Sequence, residues 1–119
     1  CHHGCSMPLG REVTPKQFQL YIGLTDSHEE ENGYVEGLFW VGYAYYYGQG
    51  GVERDWDKAV RLWEKAAASR DKSGKATWRL CWCYQYGYGV DKKDASLSQQ
   101  YYEQCIPLLK QEAAMGDAE

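Results

Sequence analysis

Apolar and small residues between Gly37 and Ala67 recur with the period of an α-helix, in two segments separated by glycines. The first segment carries one strip at helical spacing, formed by Gly37, Val41, Tyr45 and Gly48. The second segment carries an i, i+3, i+4, i+7 stripe, formed by Ala59, Leu62, Trp63 and Ala66. The pattern therefore predicts a helix–turn–helix hairpin closed through these two strips.

The same pattern recurs at an offset of 39 residues. Val41 corresponds to Leu80, Tyr45 to Tyr84, and Trp63 to Tyr102. A fixed offset over a whole hairpin is typical of repeat architectures. Since one hairpin cannot bury its apolar face alone, we expect the two hairpins to stack side by side.

Glycines and acidic residues mark the turn of each hairpin. The residues expected to form the turns and caps are Gly48, Gly50, Asp55, Gly87, Gly89 and Asp94. The glycines suit backbone with positive φ, which ends a helix and turns the chain sharply. Each aspartate precedes the second helix, where its carboxylate accepts from free N–H groups as an N-cap.

In combination these residues resemble Sel1-like repeats, which are relatives of the tetratricopeptide repeat. The first copy matches that pattern at Val41, Gly42, Tyr45, Gly48, Gly50, Val52, Asp55, Lys58, Ala59, Trp63, Lys65, Ala66 and Ala67. The second copy matches it at Ala76, Leu80, Tyr84, Gly87, Gly89, Val90, Asp94 and Tyr102. It departs from the pattern at Cys81, Ser98 and Cys105. The resemblance implies an all-α fold, an α-solenoid of stacked helix–turn–helix repeats.

Four segments are expected along the chain. Residues 1–13 form an irregular segment, and residues 14–31 form a degenerate repeat or capping helix that starts at Thr14 and Pro15. Residues 32–74 form the first repeat, preceded by a capping box of Ser27 and Glu30. Residues 75–119 form the second repeat, with an extended second helix and the start of a following repeat. Pro107 is expected to kink this helix or to split it after Ile106.

Composition and motifs exclude several classes of function. The chain has 17 acidic and 13 basic residues in 119, which argues against a nucleic-acid partner because phosphate binding needs a basic surface. No apolar run approaches the roughly 20 residues that span a bilayer. All three histidines lie in the first 28 residues, and the common catalytic and nucleotide-binding motifs are missing. The sequence therefore predicts no enzyme and no cofactor.

The first residues leave two questions open. Cys1, His2, His3 and Cys5 are zinc-ligand types, but no second pair nearby completes a tetrahedral set, so no metal site is expected. Cys1 is compatible with a bacterial lipoprotein cleaved before a lipid-modified cysteine, which would lie in the periplasm. The alternative is the bacterial cytoplasm.

Some secreted Sel1-like proteins are similar in pattern but clamp each hairpin with a disulfide between its two ends. Cys105 occupies one of those positions, whereas Thr77 occupies the other. Cys83 is expected to lie too far from Cys105 for a bridge. We therefore expect buried free thiols at the cysteines of the second repeat, including Cys81.

An aromatic band is the candidate binding site. On the side of each first helix opposite its packing strip lie Phe39, Tyr43, Tyr46, Trp78 and Trp82. First helices commonly line the concave surface of a solenoid, where Trp and Tyr would bind a partner. The alternative is that the band forms the core between repeats.

The resemblance implies a non-enzymatic scaffold or adaptor that binds a protein or peptide on this band. Two other hypotheses remain open. One is a bacterial immunity protein that neutralises a secreted toxin, which the acidic charge permits. The other is a secreted cell-wall or β-lactam-interacting enzyme, as in some Sel1-like proteins.

Overall fold

The protein is described by a computed structural model for residues 12–26, 33–69 and 72–117. These residues form five helices and no strand: α1 (Pro15–Thr25), α2 (Tyr34–Tyr47), α3 (Trp56–Ala68), α4 (Gly74–Tyr86) and α5 (Ala95–Asp117). Each helix packs against the next one along the chain. The expected all-α repeat solenoid is confirmed. The Ser27–Glu30 capping box and the Cys1–Cys5 segment lie outside the described residues.

Side-chain caps open four of the helices, and at α4 the Ser73 hydroxyl accepts from the Ala76 backbone N–H at 3.1 Å. Thr14 and Gln17 form a capping box at the start of α1, with Pro15 in the first turn. The Asp55 carboxylate accepts a hydrogen bond of 3.0 Å from the Lys58 backbone N–H at the start of α3. Asp94 accepts one of 2.9 Å from the Leu97 backbone N–H at the start of α5. Each cap satisfies a backbone donor that has no partner inside its helix.

The turns within the two hairpins share a glycine that ends the first helix and a backbone hydrogen bond that closes the turn. Gly48 and Gly87 end α2 and α4 with φ of 69° and 79°. The turns then close through the Asp55 N–H to the Tyr45 carbonyl at 2.7 Å, and through the Asp94 N–H to the Tyr84 carbonyl at 3.0 Å. The hydrogen bonds that close the two turns are therefore related by the same 39-residue offset as the sequence.

A second glycine of each turn lies against the preceding structural unit. Gly50, with φ of 71°, is so close to α1 that a Cβ would lie 2.8 Å from the Cβ of Phe18. Gly89, with φ of 75°, is so close to α3 that a Cβ would lie 2.6 Å from the carbonyl oxygen of Trp56. Both the positive φ and the close approach require glycine here.

A buried tryptophan fills the first hairpin, α2–α3. Trp63 is completely buried, and its indole N–H donates to the Phe39 carbonyl at 3.1 Å. Its ring passes directly over Gly42, where a Cβ would lie 2.6 Å from the indole nitrogen. The absence of a side chain at Gly42 therefore lets α3 approach α2 closely.

Smaller and more polar groups fill the second hairpin, α4–α5. The Ser98 hydroxyl donates to the Cys81 carbonyl at 2.9 Å, and both residues are buried. Cys83 and Cys105 are buried thiols that form no disulfide, as expected. The same expectation is wrong for Cys81, which is disulfide-bonded.

Helix α5 runs through Pro107 without a break, so the split after Ile106 is wrong, while the alternative of a kink stays a prediction. Contacts beyond the proline hold the chain in helical form. Gly74 lies so close to this segment that a Cβ would meet the Leu109 backbone nitrogen at 2.8 Å. The Glu112 carboxylate also accepts from the Gly74 N–H at 2.7 Å. This packing offsets the one backbone hydrogen bond that proline cannot donate.

Candidate functional site

The predicted aromatic band is mostly buried. Phe39, Tyr43, Tyr46 and Trp78 are 0%, 2%, 8% and 6% exposed, while Trp82 is half-buried. Of the two alternatives that the sequence left open, the first four residues therefore take the core position. The reason is that α2 is covered by its own partner helix: the Trp63 ring lies 6.2 Å from Phe39 and 5.5 Å from Tyr46. Whether any of the five contacts a partner stays a prediction.

Continuous ring contacts join the two hairpins around this core. Tyr46 contacts Trp56 at 5.6 Å between ring centroids, and Trp56 contacts Tyr88 at 5.0 Å. The series continues from Tyr88 to Tyr86 at 5.8 Å and from Tyr86 to Trp82 at 4.7 Å. These separations suit favourable aromatic pairs, so the rings hold one another in place.

Part of this aromatic cluster reaches the surface. Tyr47, at the end of α2, is 36% exposed and contacts Tyr43 at 4.7 Å and Tyr46 at 4.9 Å. On the second hairpin the half-buried rings are Trp82, Tyr86 and Tyr88. We call Tyr47, Trp82, Tyr86 and Tyr88 the aromatic face.

Beside Tyr47 of the aromatic face lies a buried cation that was not predicted from the sequence. Arg79 of α4 is 3% exposed. Its guanidinium carbon lies 5.3 to 5.9 Å from the ring centroids of Tyr43, Tyr46, Tyr47, Trp63 and Trp78. At such distances each ring face attracts a cation. The sequence did hold a signal for this burial: at the 39-residue offset, Arg79 corresponds to an apolar residue of the first repeat, Trp40.

The hydrogen bonding of Arg79 is incomplete. Nη1 donates to the Tyr47 hydroxyl at 2.9 Å, whereas Nε and Nη2 have no hydrogen-bond partner. Within residues 12–26, 33–69 and 72–117, the ion pair between Lys75 and Glu36 at 3.6 Å does not involve it, and no carboxylate pairs with Arg79. A buried charge that lacks a counter-ion is costly, so this arrangement is unusual.

A comparison with known families identifies the repeated unit. Residues 35–71 and 74–104 match the model of the Sel1 repeat, and together they make up more than half of the chain. The chain belongs to the Sel1 repeat family. Sel1 repeats generally mediate protein–protein interaction and are typically non-enzymatic modules. Neither a curated protein nor a solved structure matches the chain.

The two matched Sel1 repeats coincide with the two hairpins, since the first covers α2 and α3 almost completely and the second covers α4 and the first part of α5. The aromatic face and Arg79 therefore lie within and between the two repeats. In the described part of the chain, no helix combines the length and the apolar character needed to cross a membrane.

Burial also changes the acidity of two groups near Arg79. Burial raises the pKa of Tyr46 to about 12, and the neighbouring Cys83 adds to this shift. Burial likewise raises the pKa of the Cys83 thiol to about 12, although the nearby Arg79 charge opposes the shift. Both groups are therefore neutral at physiological pH, and neither neutralises the guanidinium.

A cleft of about 440 Å³ lies elsewhere in the Sel1 repeats, between α3 and the turn that precedes α5. The Tyr84 hydroxyl donates to the Glu64 carboxylate at 2.8 Å in its wall. Burial, together with this hydrogen bond, raises the pKa of Tyr84. Charges of both signs line the cleft, among them Arg61, Lys92 and Asp94. The cleft therefore selects no particular charge of ligand.

Proposed function

We propose that the two Sel1 repeats bind a protein or peptide on the aromatic face formed by Tyr47, Trp82, Tyr86 and Tyr88. The observation that carries the proposal is that partly exposed rings from both repeats belong to one continuous series of ring contacts, at one end of which Tyr47 lies over the buried Arg79. Tyr, Trp and Arg are the residue types that most often dominate binding energy at protein interfaces.

The rings beneath the aromatic face support this role. Tyr43 and Tyr46 contact Tyr47, and Trp78 contacts Trp82 at 5.7 Å. Packed rings lose little conformational entropy when a partner binds, so more of the contact energy appears as affinity. The buried members of the predicted band would then act by holding the exposed members in position.

Trp82 is the member of the predicted band that remains partly exposed, and it is the residue we expect to contribute most to binding. The immunity and β-lactam hypotheses stay predictions, because no contact among the described residues favours either of them.

Site-specific photo-crosslinking tests the proposal in two steps. A photoreactive phenylalanine analogue is placed at Tyr86 and, as the control, at Leu20, which is 65% exposed on α1. A protein crosslinked from Tyr86 and absent from the Leu20 reaction is then purified. Its affinity is measured for the wild type, Trp82→Ala and Leu20→Ala by titration calorimetry.

We expect Trp82→Ala to weaken binding about 30-fold, which corresponds to the roughly 2 kcal/mol of an interface hot spot. Leu20→Ala should bind like the wild type, and both variants should keep the wild-type helical circular dichroism. Equal affinity of Trp82→Ala and the wild type would overturn the proposal.

A further inference from the structure

The unpartnered atoms of Arg79 lie on one edge of its guanidinium group. A guanidinium presents its N–H groups in a fixed planar fork, and the Nε–H and one Nη2–H point in the same direction. Nη1, on the other side, already donates to Tyr47. The two nitrogens without a partner, Nε and Nη2, are therefore the pair that binds a carboxylate through two parallel hydrogen bonds.

From this geometry we infer that Arg79 is a binding residue for a side-chain carboxylate of the partner peptide. The inference rests on the proposed function, since the peptide reaches Arg79 through the aromatic face. It specifies the ligand further: the bound segment carries an aspartate or glutamate whose two carboxylate oxygens accept hydrogen bonds from Nε–H and Nη2–H.

The repeat fold itself does not require an arginine at this position. The equivalent residue of the first Sel1 repeat is Trp40, which is 2% exposed and contributes to the apolar core. Replacing a buried charge with an apolar residue is often neutral or stabilising. A cation held at 3% exposure without a counter-ion is therefore poorly explained by stability and well explained by a ligand that supplies the counter-ion.

The charge at the site favours a carboxylate over a phosphate group. Arg79 offers one positive charge and one free edge, which match a singly charged, planar carboxylate. Lys75, one turn before Arg79 on α4, is already paired with Glu36. A doubly charged phosphate group would keep an uncompensated charge among five aromatic rings.

The free edge of Arg79 is closed in the unbound protein. Tyr47, which is 36% exposed, is held to the other side of the guanidinium by a hydroxyl bond of 2.9 Å. Because Nε and Nη2 are themselves buried, an entering carboxylate must displace a ring that borders their edge. Partly exposed side chains change rotamer on fast timescales, so such a movement does not prevent binding.

The test uses end-blocked tripeptides and the whole chain. The probes are acetyl-Leu-Glu-Leu-amide, its Gln counterpart, and acetyl-Leu-Leu-Leu with a free terminal carboxylate. Binding is followed by ¹H–¹⁵N NMR of the arginine Nε–H signal that is missing in Arg79→Lys. We expect the Glu peptide to shift this signal and to bind about tenfold more tightly than the Gln peptide, as a bidentate charged pair implies.

Two variants separate binding from folding. Arg79→Lys keeps the charge but lacks the fork, and Arg79→Met removes the charge; both should lose the preference for Glu over Gln. Arg79→Met should unfold at the same urea concentration as the wild type or a higher one. Equal binding of the Glu and Gln peptides by the wild type would overturn the inference, as would a preference that persists in Arg79→Lys. A preference for the free terminal acid would also overturn it.

The crosslinked partner distinguishes this inference from the proposed function. If Trp82→Ala weakens partner binding while Arg79→Met does not, the aromatic face binds the partner and the role of Arg79 is wrong. If neither substitution has an effect, the proposed function is wrong as well.

Discussion

The two hairpins share their backbone and differ in what fills them. Both turn through glycines with positive φ and close with an aspartate cap and the same backbone hydrogen bond. In the first hairpin, a buried Trp63 packs on Gly42. In the second, the equivalent positions hold a half-buried Tyr102 and Cys81. The comparison shows that turn and cap residues define the repeat, while the core between its helices can change composition.

The same division extends to the candidate site. The first hairpin supplies Trp63 and most of the other aromatic rings around the cation, and the second supplies the cation itself. Divergence between Trp40 and Arg79 therefore converts an apolar contact between repeats into a charged one.

Removing the two equivalent aromatic residues should have unequal effects. Trp63→Ala is expected to lower the free energy of unfolding by about 3–5 kcal/mol, because the side chain is fully buried and leaves a cavity. Tyr102→Ala should lower the free energy of unfolding by a clearly smaller amount, since Tyr102 is half-buried. Urea unfolding followed by circular dichroism measures both, and equal losses would contradict the proposed difference in packing.

Adding one methyl group tests the close approach of α3 to α2. Gly42→Ala should destabilise the protein by about 1–3 kcal/mol, because the new Cβ would lie 2.6 Å from Trp63. The matched control is Gly23→Ala in α1, where a Cβ meets nothing within 4 Å. That change should stabilise the helix by up to about 1 kcal/mol. The midpoint temperatures of thermal unfolding of the two variants should shift in opposite directions from that of the wild type.

The caps should behave alike in both hairpins. Asp55→Ala and Asp94→Ala each remove a carboxylate that accepts from a backbone N–H at 3.0 and 2.9 Å. We expect each substitution to lower the free energy of unfolding by about 1 kcal/mol. In a double variant the two losses of stability should add, since the sites are separate. A several-fold difference between the two single variants would show that the turns are not energetically equivalent.

The extension of α5 gives the stability of the second hairpin a pH dependence through Glu112. Burial raises the pKa of Glu112, although its hydrogen bond from the Gly74 N–H opposes this. The folded state therefore holds the proton more tightly than the unfolded state, and this contribution to stability is lost as the pH rises through the folded pKa.

Glu112→Gln keeps an acceptor for Gly74 and removes the titration. We expect this variant to be slightly more stable than the wild type at pH 7. The difference should disappear below the ordinary glutamate pKa of 4.5. Chemical unfolding across this pH range measures the effect, and a wild type that gains stability relative to the variant as the pH rises would contradict it.

Local chemistry made much of the fold predictable. Thr14 with Pro15 marks the start of α1, and the glycines and aspartates mark both turns, because capping and positive φ depend on a few neighbouring atoms. The family pattern follows from the same residues.

Burial was not predictable in the same way. The exposure of Tyr43 or Trp78 depends on every element that packs nearby, and helical spacing alone gives only the direction of a side chain. Pro107 stays in a continuous helix because of contacts with α4 that are distant in sequence. The burial of Arg79 was likewise not predicted, because its environment is set by rings from another helix.

Gly50 and Gly89 have a consequence for how such arrays grow. Gly89 places the main chain of the second repeat against the backbone of Trp56, whereas Gly50 places the turn of the first repeat against the side chain of Phe18. At Gly89 the distance between successive units is therefore limited by backbone atoms of α3. At Gly50 it depends on the Phe18 ring, so a smaller side chain at that position would let the first repeat move closer to α1.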